Sequence, residues 1–141
     1  MLAAIPLLIL PALVYNLYAV SLPGMFGAAD AHERLTTPMF TFHTAGGGDW
    51  PVSLSDLLLA ASLVVLFIEL LKSTTSRRAA IINHALSMML FVLCLVELLL
   101  APAFATSTWF LITLMVLLDV LAGFIVTIAS ARRDVDFVDD R

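Results

Sequence analysis

Charged residues and cysteine are both scarce in this chain. Asp, Glu, Lys and Arg make up only 13% of the 141 residues, against about 25% in soluble domains. The only cysteine, Cys94, cannot form an internal disulfide and lies within an apolar run, which excludes chemistry by a cysteine pair. The formal net charge is −4, so the composition gives no basic surface for a nucleic acid partner.

Signatures of the common catalytic scaffolds are also missing. The chain contains no GxGxxG, no GxxxxGK followed by Ser or Thr, no HExxH and no GxSxG. Candidate metal ligands occur in the segment 23–51, but their spacing matches no standard site. These ligands are Asp30, His32, Glu33, His43 and Asp49. We therefore predict neither a metal site nor catalytic residues, and we expect a protein that is not an enzyme.

Apolar residues dominate instead, at 62% of the chain, with a mean hydropathy of +1.06. They form four stretches, at about 2–22, 52–71, 79–101 and 109–131. Each is long enough to cross a hydrocarbon core, which takes about 20 residues. Because lipid offers no partners to backbone groups, spanning segments must be helical. The sequence predicts an all-α integral membrane protein, with a single four-transmembrane-helix bundle over 1–131.

The first stretch could instead be a signal peptide, but it lacks a basic leading segment and is long for one. Of the seven Lys and Arg residues, only Arg34 lies in the first loop, 23–51. The positive-inside rule therefore makes the second loop and the C-terminus cytoplasmic, and four spans place the N-terminus there too. We predict that both termini face the cytoplasm and that the protein lies in the cytoplasmic (inner) membrane of a bacterium.

Aromatic and basic residues near the ends of the stretches are candidate anchors at the membrane interface. They are Trp50, Trp109, Lys72, Arg77, Arg78, Arg132 and Arg133. The loop 23–51 carries enough apolar residues to favour contact with a membrane or partner surface over a free linker. Ser53 or Ser55 is a candidate cap for the helix that follows. The segment 132–141 is predicted to be a charged cytoplasmic tail, either solvated or docking through Phe137 and Val138.

Three acids, Glu69, Glu97 and Asp119, fall within the predicted spans, where a central charge costs about 2.5–3.5 kcal/mol. At 100° per residue, each lies on a seam of polar or small residues along one helix face. The other seam residues are Asn16, Ser55, Ser62, Asn83, Ser87, Gly123 and Ser130. Such seams let helices approach closely and form hydrogen bonds with each other.

Three interpretations of the acids remain open. They form a proton or cation path, with Asp119 as the central carrier, Glu97 as the outer relay and His84 with Glu69 as the inner exit. Alternatively, they join helices of the same chain through hydrogen bonds, for example to Asn16 or Ser87. The third interpretation is a contact with another subunit. We predict no cofactor, although haem or chlorophyll on His84 is an alternative, because a small residue precedes it by one turn.

The sequence thus favours a non-enzymatic membrane protein that serves as an oligomeric or accessory subunit of a membrane complex. The predicted contacts are the polar seams, the outer loop and the lipid bilayer, with a second copy or other membrane subunits as partners and no nucleic acid. The alternative function is a proton-coupled carrier or channel that uses Asp119 and Glu97.

Overall fold

The structure is a computed structural model that describes residues 5–21, 28–73 and 77–139. The described chain is mostly helical, in agreement with the prediction of a helical bundle. Three of its helices are long and apolar enough to cross a membrane, and a fourth, shorter helix is also apolar. The chain thus has the helices of an integral membrane protein.

The three long helices are α3 (Leu54–Ser73), α4 (Arg77–Leu100) and α5 (Ser107–Asp139). Helix α5 packs against both α3 and α4, and a short 3₁₀ turn (Pro102–Phe104) joins α4 to α5. Their apolar segments agree in position with three of the predicted spans. The outward faces are rich in exposed Leu, Val, Ile and Phe, as a lipid-facing surface requires.

The first helix is shorter than the predicted span 2–22. Helix α1 covers Ile9–Ser21, which is about 20 Å of helix against a hydrocarbon core of about 30 Å. Pro11 lies in its first turn, where a backbone N–H has no partner within the helix and proline is tolerated. The described residues that precede α1 include Pro6 and lie outside the helix, so the apolar run is longer than the helix it contains.

The predicted outer loop contains regular structure. It holds helix α2 (Ala28–Thr36) and an antiparallel hairpin of β1 (Pro38–His43) and β2 (Asp49–Ser53). Gly47 adopts a φ of 82° in the hairpin turn, a conformation that glycine accepts without strain. The turn also has a side-chain bond at 2.8 Å, in which the Thr44 hydroxyl donates to the Gly48 carbonyl.

Helix α2 covers one end of the bundle. Its Ala31 and Leu35 are fully buried, and Leu35 belongs to the same apolar core as Ala103 and Phe104 of the 3₁₀ turn. Element contacts join α2 to this turn and to α3. Helix α2 is therefore folded onto the bundle of its own chain, whereas the sequence favoured contact with a membrane or partner surface.

The hairpin continues into α3 without a linker. Ser53 ends β2, and its hydroxyl accepts a hydrogen bond from the backbone N–H of Asp56 at 3.3 Å. The Asp56 carboxylate in turn accepts bonds from the Ser53 N–H at 2.9 Å and from its hydroxyl at 2.7 Å. This reciprocal cap begins α3 and fixes the direction in which the hairpin leaves it.

Helix α5 extends past the predicted boundary at residue 131 and continues to Asp139. The segment 124–139 contains neither glycine nor proline, so no residue in it interrupts a helix. The predicted tail is thus helical over 132–139. Its side chains, including those of Arg132, Arg133, Phe137 and Val138, lie outside the described part of the structure.

Candidate functional site

The most extensive polar cluster surrounds Glu69, whose side chain is fully buried. One carboxylate oxygen accepts hydrogen bonds from the Asn83 amide at 2.6 Å and from the Lys72 ammonium at 3.1 Å. The other accepts a bond from the backbone N–H of Leu7 at 2.6 Å. Lys72 also donates to the Ile5 carbonyl at 2.5 Å and to the Asn83 side-chain oxygen at 3.3 Å.

This Glu69 cluster (Ile5, Leu7, Glu69, Lys72 and Asn83) joins α3, α4 and the segment before α1. Each donor reaches a carboxylate or a carbonyl, which is the arrangement that makes a buried charge tolerable. The pairing of Glu69 with Lys72 has the i,i+3 spacing of a helical ion pair. Lys72 is therefore mainly a partner of buried groups, rather than an anchor that lies freely at the membrane surface.

A second polar contact lies between α4 and α5. The Ser87 hydroxyl donates to the Asp119 carboxylate at 2.6 Å, and both side chains are buried. This pair joins two adjacent helices, which is the arrangement expected if the acid connects helices of the same chain.

His84 lies one turn from Ser87 on α4 and packs against α5. Its ring forms an edge contact with Phe124, with centroids 4.5 Å apart. A Cβ atom at Gly123 would overlap the imidazole ring, so the absence of a side chain there makes room for His84. Neither ring nitrogen has a hydrogen-bond partner within the described structure, and both are buried.

Gly123 and Phe124 lie close to His84, and this bears on the alternative that His84 binds haem or chlorophyll. A macrocycle must approach one ring nitrogen directly along its lone pair. Both nitrogens of His84 are covered by protein in this arrangement, and the space beside Gly123 is filled by the imidazole itself. The described geometry therefore does not fit a ligated macrocycle unless the histidine rotates.

The third acid, Glu97, faces a cavity between α1 and α4. Its carboxylate accepts a hydrogen bond from the Asn16 amide at 3.4 Å, and that amide also donates to the Ala12 carbonyl at 3.1 Å. The cavity has a volume of about 460 Å³ and is lined by Asn16 and Glu97 together with apolar residues. Glu97 is half-buried, in contrast to the fully enclosed Glu69.

An aromatic cluster closes the bundle near α2, and it includes Trp109. Trp109 is fully buried, and its indole N–H donates to the Cys94 carbonyl at 3.1 Å. The structure thus places Trp109, which was predicted to be an anchor at the membrane interface, inside the bundle. The reason is that its ring packs against those of Tyr15 and Phe104, at centroid distances of 4.7 and 5.0 Å.

Tyr15 and Thr106 form a polar contact that the seam analysis missed. The two hydroxyls lie 2.6 Å apart, and the Tyr15 hydroxyl also donates to the Ala103 carbonyl at 3.1 Å. Thr106 caps α5, because its hydroxyl accepts a bond from the Trp109 N–H at 3.2 Å. The sequence signal was the cluster of Thr and Ser before the last apolar stretch.

The remaining seam residues divide between contacts that join helices and contacts within one helix. The hydroxyls of Ser55 and Thr108 lie 2.7 Å apart and connect α3 with α5. Ser62 donates to the Leu58 carbonyl at 2.7 Å on its own helix, although it is fully buried. The side chains of five predicted site residues lie outside the described part of the chain, namely Arg77, Arg78, Ser130, Arg132 and Arg133.

The hairpin presents an aromatic face to its surroundings. Phe42 pairs with Trp50 across the strands, and Phe40 pairs with Val52, which places these side chains on one side of the hairpin. The rings of Phe40 and Phe42 form an edge contact at 5.2 Å, and Phe42 lies 6.1 Å from Trp50. All three rings remain exposed, and we call Phe40, Phe42 and Trp50 the aromatic face.

The candidate metal ligands of this region come together only as a pair. His43 and Asp49 lie opposite each other in the hairpin, with Nδ1 and Oδ1 2.6 Å apart, and both are exposed. Among the residues that the structure describes, no group of three His, Cys, Asp or Glu side chains is arranged to hold a metal. Searches against family models, curated proteins and solved structures find no match to this chain.

Proposed function

We propose that this protein is a non-enzymatic subunit of a membrane complex in the cytoplasmic membrane of a bacterium. Its bundle crosses the bilayer four times, with both termini cytoplasmic, and holds α2 and the hairpin at the outer surface. The aromatic face is its contact with another membrane subunit, which is either a second copy or a different chain. The long apolar helices and the distribution of basic residues support this location.

The contacts of the N-terminal segment support four crossings. Ile5 and Leu7 bond to the Glu69 cluster at one end of α3, whereas Asn16 bonds to Glu97 near the opposite end of the bundle. The segment 5–21 therefore runs along the bundle even though only part of it is helical. We infer that it crosses the membrane together with the other three helices.

One observation carries the proposed role: the aromatic face is exposed on a hairpin that is held firmly to the bundle. Exposed aromatic clusters of this kind are typical of interfaces, since Trp and Phe contribute much of the binding energy there. The intramembrane acids Glu69 and Asp119, by contrast, have their partners within the chain. The outer hairpin is thus a better candidate for subunit contact than the polar seams.

The test compares complexes extracted gently from native membranes and weighed intact by mass spectrometry. We expect a second polypeptide or a second copy at fixed stoichiometry with the wild-type chain. The triple variant F40S/F42S/W50S should lose this partner and keep its own fold, because all three rings are exposed and none belongs to the apolar core. The matched control is Thr41→Ser, a change on the opposite side of β1. Retention of the partner by the triple variant would contradict the proposal.

A proton-coupled carrier is the second candidate, and His84 is the observation that favours it. Its two ring nitrogens have no hydrogen-bond partner in the described part of the chain and lie one turn from the Ser87–Asp119 pair, so an imidazole adjoins a buried acid. If this is a path, Asp119→Asn should abolish proton flux in liposomes while the variant still assembles. If the acid only joins helices, the same variant should show no change, because the wild type carries no flux.

A further inference from the structure

The cavity between α1 and α4 has the chemistry of a binding site. It is lined on its apolar side by Val20, Val96, Leu100 and Pro102, and Asn16 and Glu97 supply its polar groups. Its volume of about 460 Å³ is within the range of small-molecule pockets, which are mostly apolar with a few polar groups. We propose that this cavity binds an amphiphile whose ammonium group pairs with Glu97 and whose alkyl chain lies along the apolar wall.

The carboxylate of Glu97 is available for such a ligand. Only one of its oxygens accepts a hydrogen bond in the described structure, and that bond, from Asn16, is long at 3.4 Å. The Asn16 amide donates to the carboxylate, so the acid is held as an acceptor. No Lys or Arg is among the residues that line the cavity, so the lining itself offers no cation to pair with Glu97.

Backbone electrostatics add to the preference for a cation. Helix α4 ends at Leu100, which lines the cavity, so the C-terminal end of this helix borders it. The C-terminal end of a helix carries partial negative charge and stabilises cations. Glu97 and the end of α4 thus act in the same direction, against an anionic ligand and in favour of an ammonium group.

The position of the cavity along the bundle fits an amphiphile. Glu97 lies three residues before the end of α4, or about 4.5 Å along the helix. An ammonium group at Glu97 therefore sits near the level of lipid headgroups, and a chain attached to it points along the lipid-facing bundle. Val20, Val96 and Leu100 are exposed on that surface and would lie against the chain.

The same chemistry could come from an ethanolamine headgroup of the membrane or from a free lipophilic amine. The experiment titrates the whole protein in dodecyl maltoside micelles with dodecylammonium, with dodecanol as the neutral probe of equal length. Parallel titrations use phosphatidylethanolamine and phosphatidylglycerol, and native mass spectrometry counts the molecules bound. Binding of both dodecylammonium and phosphatidylethanolamine identifies the lipid as a source, whereas binding of dodecylammonium alone identifies a free amine.

We expect one dodecylammonium per chain and at least about tenfold weaker binding to Glu97→Gln, because a charge-assisted bond is lost. Asp119→Asn removes an acid that does not line the cavity and should bind as the wild type does. Val96→Phe fills the apolar wall, keeps Glu97 and should also weaken binding, which provides a test if Glu97→Gln fails to fold. Equal affinity of the wild type and both cavity variants, or equal binding of dodecanol, would overturn the proposal.

Discussion

At the scale of single residues, the buried carboxylate of Glu69 is a group whose removal should lower the stability of the protein strongly. Its two oxygens serve donors from Leu7, Lys72 and Asn83. Glu69→Leu removes a carboxylate that three donors share, one of them charged, and should lower the free energy of unfolding by about 3 kcal/mol. The measurement is reversible unfolding in mixed micelles with increasing dodecyl sulfate.

Two further variants give this prediction its controls. Leu63 is exposed on the outward side of the same helix, so Leu63→Ala should change the unfolding free energy by no more than about 0.5 kcal/mol. Glu69→Gln keeps one oxygen acceptor and should fall between the wild type and Glu69→Leu. If Glu69→Leu unfolds like Leu63→Ala, the cluster contributes nothing measurable to stability.

Gly123 allows a second prediction, in which the usual effect of alanine is reversed. Alanine normally stabilises a helix relative to glycine by about 1 kcal/mol. Here the added Cβ would overlap the His84 ring, and overpacking of this kind costs about 1–3 kcal/mol. We therefore expect Gly123→Ala to destabilise the protein in the same micelle assay.

The double variant separates this clash from other effects of the substitution. In a His84→Ala background the space is open, and Gly123→Ala should then be neutral or stabilising. An equal cost in both backgrounds would mean that contact with His84 is not the cause.

At the scale of elements, the packing of α2 on the 3₁₀ turn can be tested separately from the bundle. Leu35 is buried in the apolar core that includes Phe104, and a carboxylate there would lose its hydration. Leu35→Asp should abolish hydrogen-exchange protection over 31–36, while α4 and α5 keep theirs. His32→Asp adds a carboxylate to an exposed position of the same helix and should leave the protection unchanged.

The elements also show what could be predicted from the sequence and why. The long apolar runs of α3, α4 and α5 specify helices because lipid permits no alternative backbone. Helix α2 has only nine residues, too few for its amphipathic pattern to identify a helix from the sequence. Strand β1 is exposed along its whole length, so buried and exposed residues do not alternate in it. The prediction ended the last helix at 131 because of the change to charged residues. Charged residues are compatible with a helix, however, and the segment 124–139 contains no glycine or proline that would end it.

The polar contacts within one helix could be predicted from the sequence, whereas those between helices could not. Glu69 and Lys72 are three residues apart on one helix, a spacing that the sequence shows directly and that brings their side chains together. The partners of Asp119 and Glu97 are on other helices, and helix rotation depends on packing that one sequence does not reveal. Ser87 and Asn16 were therefore candidates among several polar residues, and Tyr15 was missed because its aromatic ring hid its hydroxyl among apolar neighbours.

At the scale of the whole molecule, the proposed orientation in the membrane rests on α3, α4 and α5, which are long and apolar enough for three crossings between the hairpin and the end of α5. An odd number of crossings places the hairpin turn and the C-terminal part of α5 on opposite sides. By the positive-inside rule, the basic residues after α3 and α5 predict that the C-terminal part of α5 is on the cytoplasmic side. This argument does not depend on whether α1 spans the bilayer.

Single introduced cysteines test this orientation in spheroplasts. Gly46→Cys adds a side chain to open space in the hairpin turn and should react with a membrane-impermeant maleimide in intact spheroplasts. Asp134→Cys should react only after permeabilisation, because it follows the apolar part of α5. The wild type is the control, since its Cys94 is buried and should stay unlabelled. If Asp134→Cys reacts in intact spheroplasts and Gly46→Cys reacts only after permeabilisation, the protein has the opposite orientation in the membrane. Labelling of both variants from the outside would contradict three crossings, because two residues separated by three spanning helices cannot share a side.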